Sequence, residues 1–130
     1  MRPLELSLLP GRFAISRLDP SARIPAWAQS GSFLSVTRTA EELSIVSPED
    51  AVPPGTAARG GWKAWRVAGT LDFSLTGVLA SIAEPLARAG VSIFAVSTFD
   101  TDYILVPEAR VADAATALSA AGHRVLNGAP

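Results

Sequence analysis

Two aspartates lie close together in a polar turn, and they are the residues with the clearest capacity for chemistry. Asp100 and Asp102 are separated by one residue in the run Phe-Asp-Thr-Asp. Paired carboxylates can act as general acid and base, but no companion base accompanies these two. Aspartate also favours turns, because its side chain bonds the nearby backbone. Asp100 is therefore expected to be a turn residue, and for Asp102 turn formation and ligand binding both remain open.

Most residues that build catalytic and metal sites are missing from this sequence. It has no cysteine, and its one histidine, His123, cannot build a typical zinc site. The glycine-rich and serine signatures of nucleotide-binding proteins and hydrolases are also missing. We therefore predict a protein that is not an enzyme and that uses neither a metal nor a cofactor. His123 is close to the end of the chain and is predicted to be solvated.

The composition is that of a folded, soluble protein. Apolar residues make up 48% of the chain and charged residues 18%, which is enough for a core. The net charge is −1 and the basic residues are scattered, which argues against a nucleic-acid partner. No stretch reaches about 18 consecutive apolar residues, and the N-terminus lacks the long apolar core of a signal peptide. We expect a cytoplasmic protein without membrane contact.

Two segments in the second half have helical character. Apolar residues recur at helical spacing over Leu75–Ala89, and Gly90 is a natural C-terminal cap. Pro85 lies inside this segment, where it cannot bond the carbonyl of Ser81, so the sequence predicts a kink. An alanine-rich segment, Val111–Gly122, predicts a second helix.

Strand-like runs flank these helices. Trp62–Val67 precedes the first helix, and Val91–Ser97 and Asp102–Val106 lie between the two helices. The second half therefore has the order β-α-β-β-α. Trp62 and Trp65 fall on opposite faces of the first strand, so the sequence leaves open which face is buried.

The first half has strand-like runs without a long helix. Leu4–Leu18 alternates apolar and polar residues around Pro10-Gly11, which predicts a short hairpin. Phe33–Thr37 and Leu43–Val46 are two further strands, joined by a polar turn.

A linker separates the halves, and a weak repeat relates them. Residues 47–61 are rich in Pro, Gly and Ala and have no period, which predicts a boundary between residues 1–60 and residues 61–130. The run SFLSVTRTAEELSIVSPE is similar to SIFAVSTFDTDYILVPE in its strand-turn-strand pattern. Duplication and chance both remain open as explanations.

Gly77–Leu118 resembles the ACT domains of the branch that includes the CASTOR arginine sensors and small bacterial relatives. The most specific part is Ser-Thr-Phe-x-x-Asp at residues 97–102, followed by an apolar strand and Val-Pro-Glu at residues 106–108. The resemblance implies an α+β, ferredoxin-like ACT fold, βαββα with an antiparallel sheet. It also implies two tandem ACT-like units, a degenerate one at residues 1–60 and a C-terminal ACT domain at residues 61–130.

The resemblance further implies a function. ACT domains of this kind are regulatory modules that bind a small-molecule amino acid at the interface of paired domains. Because this chain carries one good copy, a homodimer is needed to complete the site. The alternative is a ligand-free interaction module that dimerises in order to join a protein partner.

The candidate contacts match the two charges of a free amino acid. Asp102 supplies an anion for the ammonium, and amides at the start of the first helix can hold the carboxylate with the help of the helix dipole. Phe99 as an ordinary core residue and Gly77 as a simple tight turn remain open. The residues assigned to the ligand are Asp102, Thr98, Phe99, Leu75, Thr76, Gly77, Ser92, Ile93 and Asp72.

One position departs from the arginine sensors. They carry an acidic residue where this chain has Leu75, and a guanidinium buried without an anion is strongly disfavoured. Asp72, in the preceding loop, is an acidic residue that can approach from a different position. We expect a smaller or more apolar amino acid than arginine.

Overall fold

A computed structural model describes residues 3–69 and 76–126. The chain forms two compact units, an N-terminal unit of Gly11–Trp62 and a C-terminal unit of Met1–Pro10 with Lys63–Pro130. The sequence-based division differs in placing the first strand with the N-terminal half. The strands and helices are β1 (Glu5–Leu8), β2 (Phe13–Leu18), β3 (Ser35–Arg38), β4 (Leu43–Pro48), β5 (Ala58–Val67), α1 (Val78–Arg88), β6 (Phe94–Ser97), β7 (Asp102–Pro107), α2 (Val111–Ala120) and β8 (Arg124–Leu126).

The N-terminal unit is built from antiparallel strands. Their order is β3, β4, β2 and the first part of β5. Leu43 and Ile45 of β4 are fully buried in a small core with Ala28, which belongs to a short 3-10 turn. All residues of this unit are described, and they include 3-10 turns but no α-helix.

The C-terminal unit pairs its strands in the order β8, β1, β5, β7 and β6. β8 runs parallel to β1, so the sheet is mixed. This parallel strand follows the βαββα order, for which the resemblance implied an antiparallel sheet. Both helices contribute to a core with the strands. Trp65 is fully buried there and Trp62 is half-buried, so the face of β5 that carries Trp65 is the more deeply buried one. The largest fully buried members of this core are Trp65, Leu6, Ile82, Leu86, Ile104 and Leu118.

The two units share one strand order. β3, β4, β2 and β5 in the first unit correspond to β6, β7, β5 and β1 in the second. With its two helices, the second unit has the ferredoxin-like βαββα plan, and the predicted fold class is confirmed. Two further strands extend that sheet beyond β5: the N-terminal strand β1, which comes from the opposite end of the chain, and then β8.

The predicted hairpin over residues 4–18 is wrong. β1 pairs with β5 and β8, at Leu6↔Val67 and Leu6↔Val125, while β2 pairs with β4 and β5. Leu6 is fully buried in the C-terminal core. The free energy gained by burying Leu6 among residues far away in sequence therefore outweighs the local preference of Pro10-Gly11 for a hairpin.

Helix α1 begins later than predicted and ends as predicted. It starts at Val78, and Leu75 lies outside the described residues. Its end is a Schellman motif, in which Gly90 has φ 72° and the N–H of Val91 donates to the carbonyl of Leu86 at 2.9 Å. Val91 is thus part of the helix cap, and β6 begins only at Phe94.

The side chain of His123 is buried, so the prediction of a solvated histidine is wrong. It is 7% exposed. Its Nδ1 accepts from the N–H of Leu4 at 3.1 Å, and its Nε2 lies 2.9 Å from the carbonyl oxygen of Ser81. Pro85 has no N–H for that carbonyl, and α1 runs through Pro85 as one helix. His123 therefore supplies the donor that the proline removes.

The weak repeat corresponds to two hairpins of the same register. β3 pairs with β4 from Ser35↔Val46 to Arg38↔Leu43, and β6 pairs with β7 from Phe94↔Leu105 to Ser97↔Asp102. The predicted strand-turn-strand similarity is confirmed, and duplication as its origin stays a proposal.

The two copies diverge after the hairpin. Each second strand ends in a proline, Pro48 or Pro107, that begins a 3-10 turn. In the C-terminal copy this turn continues into α2. In the N-terminal copy it stops at Val52, which is extended because Pro53 follows and disfavours helical geometry at the preceding residue.

Candidate functional site

Asp102 is the first residue of β7 and is half-buried. It lies directly opposite Ser97, the last residue of β6. The hydroxyl of Ser97 donates to Oδ1 of Asp102 at 2.6 Å. The carboxylate is therefore held by a neighbour on the same hairpin, and its position follows from the strand register.

The turn between these strands is closed by its own threonines. The N–H of Thr98 donates to the carbonyl of Thr101 at 2.8 Å, and the Thr98 hydroxyl donates to the same carbonyl at 3.1 Å. Thr101 is 3% exposed, and its hydroxyl donates to the carbonyl of Val67 at 2.8 Å. The start of β7 is thus tied to the end of β5, and the turn beside Asp102 has a fixed shape.

Phe99 lies in this turn with 79% of its surface exposed. The interpretation of Phe99 as an ordinary core residue is therefore wrong. Asp100 is exposed, as expected for a turn residue. The turn presents an aromatic ring to its surroundings, close in sequence to the half-buried carboxylate of Asp102.

Gly77 precedes α1 with φ 77°, the left-handed region that favours glycine. Among residues 3–69 and 76–126, no side chain donates or accepts a capping hydrogen bond at the start of this helix. Thr76 is exposed beside it. Leu75 and Asp72, the other two predicted contacts in this loop, lie outside the described residues.

Ser92 and Ile93 lie at the other end of the hairpin from Asp102. They precede β6, whereas Asp102 faces the last residue of that strand. At ~3.3 Å per residue, the length of β6 alone separates them by roughly 10 Å. Ser92 is exposed, and Ile93 packs against the C-terminal core. The structure brings Thr98, Phe99 and Asp102 together, but it does not bring Ser92 and Ile93 to them within one chain.

The N-terminal hairpin has the same turn without the carboxylate. The N–H of Thr39 donates to the carbonyl of Glu42 at 2.9 Å, as Thr98 does to Thr101. The positions of Ser97 and Asp102 are taken by Arg38 and Leu43, and Leu43 is fully buried. Only the C-terminal copy has a carboxylate at this point of the hairpin.

Two residues of the site were missed by sequence reasoning as functional groups. Ser97 donates a hydrogen bond to Asp102, and Thr101 ties the turn to the end of β5. Ser97 could have been found from the predicted strands and turn, because the register of that hairpin places Ser97 opposite Asp102. No comparable signal marks Thr101.

Metal-binding clusters and membrane-spanning helices are absent from the described residues. The part of the chain that the structure describes contains no group of three His, Cys, Asp or Glu residues that could hold a metal ion. Within residues 3–69 and 76–126, no helix is long and apolar enough to cross a membrane. A surface groove of about 340 Å³ lies at the C-terminal ends of α1 and α2, and none of the predicted ligand contacts lines it.

Comparisons with known proteins agree with this architecture. A family model described as an ACT domain matches residues 57–120, and a model described as an N-terminal domain matches residues 11–55. The human cytosolic arginine sensor for mTORC1 subunit 1 is 46% identical over 48 residues, which are 36% of this chain and 15% of the sensor. The mouse protein is 44% identical over 48 residues. The matched part thus spans only a small share of these curated relatives.

Solved structures extend the comparison to the whole chain. A crystal structure of an Agrobacterium tumefaciens protein is 39% identical with a TM-score of 0.94, covering 100% of this chain and 97% of that one. The regulatory subunit of aspartate kinase from Thermus thermophilus is 14% identical with a TM-score of 0.61, covering 86% of this chain and 93% of that one. The second likeness concerns the fold alone. The ACT match and the shared strand order show that this is an ACT-domain protein, with the ACT domain at residues 57–120, and its identity with the arginine sensors is confined to 48 residues.

Proposed function

We propose that this chain is a regulatory module that binds a free amino acid, and that a second copy completes the site. The observation that carries the proposal is the Asp102 carboxylate, which is half-buried, hydrogen-bonded to Ser97 and preceded by a turn that contains the exposed Phe99. Ser97 is the only hydrogen-bond partner of Asp102 among the described residues. The rest of the carboxylate is therefore available to a cation.

The two charges of an amino acid have separate partners in this scheme. Asp102 receives the ammonium through a charge-assisted hydrogen bond, which contributes about 1.5–3 kcal/mol. The uncapped amides that follow Thr76 and Gly77 at the start of α1 receive the carboxylate, and the helix dipole adds to the attraction. Phe99 forms an apolar wall next to the ammonium.

A second copy is required because of where Ser92 and Ile93 lie. Within one chain they are separated from Asp102 by at least the length of β6, which is more than a small amino acid can bridge. Among the described strands β6 pairs only with β7, so no described strand covers its other edge. Two β6 edges that pair antiparallel about a two-fold axis bring the Asp102 end of each copy to the Ser92 end of its partner. The homodimer then contains two equivalent sites.

The choice of amino acid follows from the loop before α1. Leu75 offers no anion for a guanidinium, so we propose that a smaller or more apolar amino acid is preferred over arginine. The relative named above is a cytosolic sensor, and we place this protein in the cytoplasm by analogy. Its role is regulatory, without catalysis.

A thermal-shift screen of the twenty amino acids tests binding. At a hundred times its dissociation constant, a true ligand should stabilise the folded protein by about 2.7 kcal/mol. Light scattering over a dilution series should show a dimer that the bound amino acid makes tighter. A melting temperature that no amino acid changes would contradict the proposal, and so would a protein that stays monomeric with and without them.

The decisive variant is Asp102→Ala, with Asp100→Ala as the matched control. The hydrogen bond that the Asp102 side chain makes to the described residues is with an exposed serine, so its loss should change the free energy of unfolding by under about 1 kcal/mol. The affinity for the amino acid should fall more than about tenfold, since losing a charged partner costs at least about 1.4 kcal/mol. Titration calorimetry measures this. Equal losses in the two variants would mean that the turn matters and the Asp102 carboxylate does not.

One observation favours a second candidate, a ligand-free interaction module. Phe99 is 79% exposed at the tip of a turn, and an exposed aromatic side chain suits a protein interface. A dimer or partner complex that forms without any amino acid, and that Phe99→Ser disrupts while Asp102→Ala does not, would favour this candidate.

A further inference from the structure

We infer that Ser97 is a positioning residue, which holds the Asp102 carboxylate in the one orientation that receives the ligand's ammonium; the inference rests on the proposed function. Ser97 is exposed, yet its hydroxyl lies 2.6 Å from Oδ1 of Asp102. This distance is typical of a hydrogen bond from a hydroxyl to an ionised carboxylate.

The geometry leaves one oxygen of the carboxylate for the ligand. Ser97 occupies Oδ1, and Oδ2 has no hydrogen-bond partner among the described residues. An ammonium is a compact point charge that is satisfied by one oxygen, whereas a guanidinium binds best through two parallel bonds to both oxygens. The Ser97 bond therefore favours a primary ammonium over a bidentate guanidinium at this carboxylate.

The N-terminal hairpin shows that this pair is not needed to form the turn. There the same two positions are Arg38 and Leu43, and the turn closes in the same way through Thr39. The Ser97–Asp102 bond is thus separable from the fold of the hairpin. Its contribution should appear in ligand binding and not in stability.

The expected effect of Ser97→Ala follows from side-chain rotamers. Without the hydroxyl, Asp102 can populate up to three staggered χ1 wells, only one of which is competent. A competent fraction of about one third raises the dissociation constant about threefold. Ser97→Thr keeps a hydroxyl on a β-branched residue that suits a strand, and should restore the affinity to within about twofold.

Two measurements on the full-length chain test the inference. NMR three-bond couplings report the χ1 rotamer of Asp102 without any ligand: we expect one rotamer in the wild type and in Ser97→Thr, and averaging in Ser97→Ala. Calorimetry with the amino acid that gives the largest shift in the twenty-amino-acid screen reports the affinity. The melting temperature of the free protein should be the same in all three.

The outcomes separate this inference from the proposed function. The role of Ser97 is overturned if the χ1 couplings of Asp102 are already averaged in the wild type, or if Ser97→Ala leaves them unchanged. This holds even if an amino acid binds. Unchanged affinity in Ser97→Ala also overturns it, provided that Asp102→Ala abolishes binding. A third outcome is also distinct: the Asp102 rotamer is fixed and depends on Ser97, but the protein binds none of the twenty amino acids. Ser97 is then still an orienting residue, and the proposed amino-acid ligand is refuted.

Discussion

Replacing His123 with alanine should destabilise the protein through the hydrogen bonds it removes. The side chain is 7% exposed and bridges the N–H of Leu4 and the carbonyl of Ser81. Loss of the ring leaves both main-chain groups without their partner, at about 1–3 kcal/mol for each group that is buried. Because Leu4 is only half-buried, we expect His123→Ala to lower the free energy of unfolding by about 3 kcal/mol.

Pro85 makes the explanation testable by a double-mutant cycle. Pro85→Ala restores an N–H that can donate to the carbonyl of Ser81, as in an uninterrupted helix. In that background His123→Ala leaves only the N–H of Leu4 without a partner. The loss should therefore be smaller by about 1 kcal/mol than in the wild type, and packing changes at Pro85 cancel in the cycle.

Urea denaturation followed by tryptophan fluorescence measures the cycle, since Trp65 is fully buried in the same core. Glu84→Ala is the control, because this residue is on the same helix but makes an exposed ion pair with Arg88. It should cost under about 1 kcal/mol. A His123→Ala loss below about 1 kcal/mol, or an equal loss in the wild-type and Pro85→Ala backgrounds, would refute the account of the bridge.

Two smaller predictions concern backbone geometry and pH. Gly77→Ala should destabilise the protein by about 1 kcal/mol in urea titrations, because φ is 77° and no described residue lies within 4 Å of the added Cβ to stabilise it. Gly77→Asn should lose less, and an alanine variant as stable as the wild type would contradict this. Hydrogen bonds from the hydroxyl and N–H of Ser21 lower the pKa of Asp19, so their stabilisation is present above the unfolded pKa and is lost as pH falls through the folded value. Ser21→Ala should flatten the acid side of the stability curve, and an unchanged curve would contradict the prediction.

The elements best predicted from the sequence are those fixed by local pattern. α1, α2 and the β6–β7 hairpin follow from apolar spacing and caps, and the structure has all three. The hairpin over residues 4–18 failed because a turn signal carries no information about where Leu6 is buried. Pairing of β1 with β5 and β8 joins the two ends of the chain, and no local pattern records it.

The prediction that His123 is solvated failed for a related reason. Its surroundings are set by the Schellman motif that ends α2, in which its own N–H donates to the carbonyl of Leu118 at 3.0 Å. The sequence showed that Pro85 leaves the carbonyl of Ser81 without its helical donor. That a histidine far along the chain supplies the donor depends on the packing of α1 against the end of α2.

The candidate site was only partly predictable, because its residues serve two purposes. Thr98 was expected to contact a ligand, yet its hydroxyl closes the turn. Asp102 was placed correctly at the start of a strand, but its orientation by Ser97 depends on strand register. The register of β6 against β7 follows from the predicted turn. The hydrogen bond from Thr101 to Val67 could be predicted only from the order of strands in the sheet, which places β7 beside β5.

The division of the proposed site between two copies has a thermodynamic consequence. If Asp102 comes from one chain and Ser92 from its partner, an amino acid bound between them contacts the dimer more than the monomer. Coupling free energies are reciprocal, so the ligand must tighten dimerisation by the same factor by which dimerisation tightens ligand binding. The hairpin already has its shape, since Thr98 and Thr101 fix the turn within one chain. Under the proposed function, ligand binding at this turn would therefore be read out as a change in the association of the two copies.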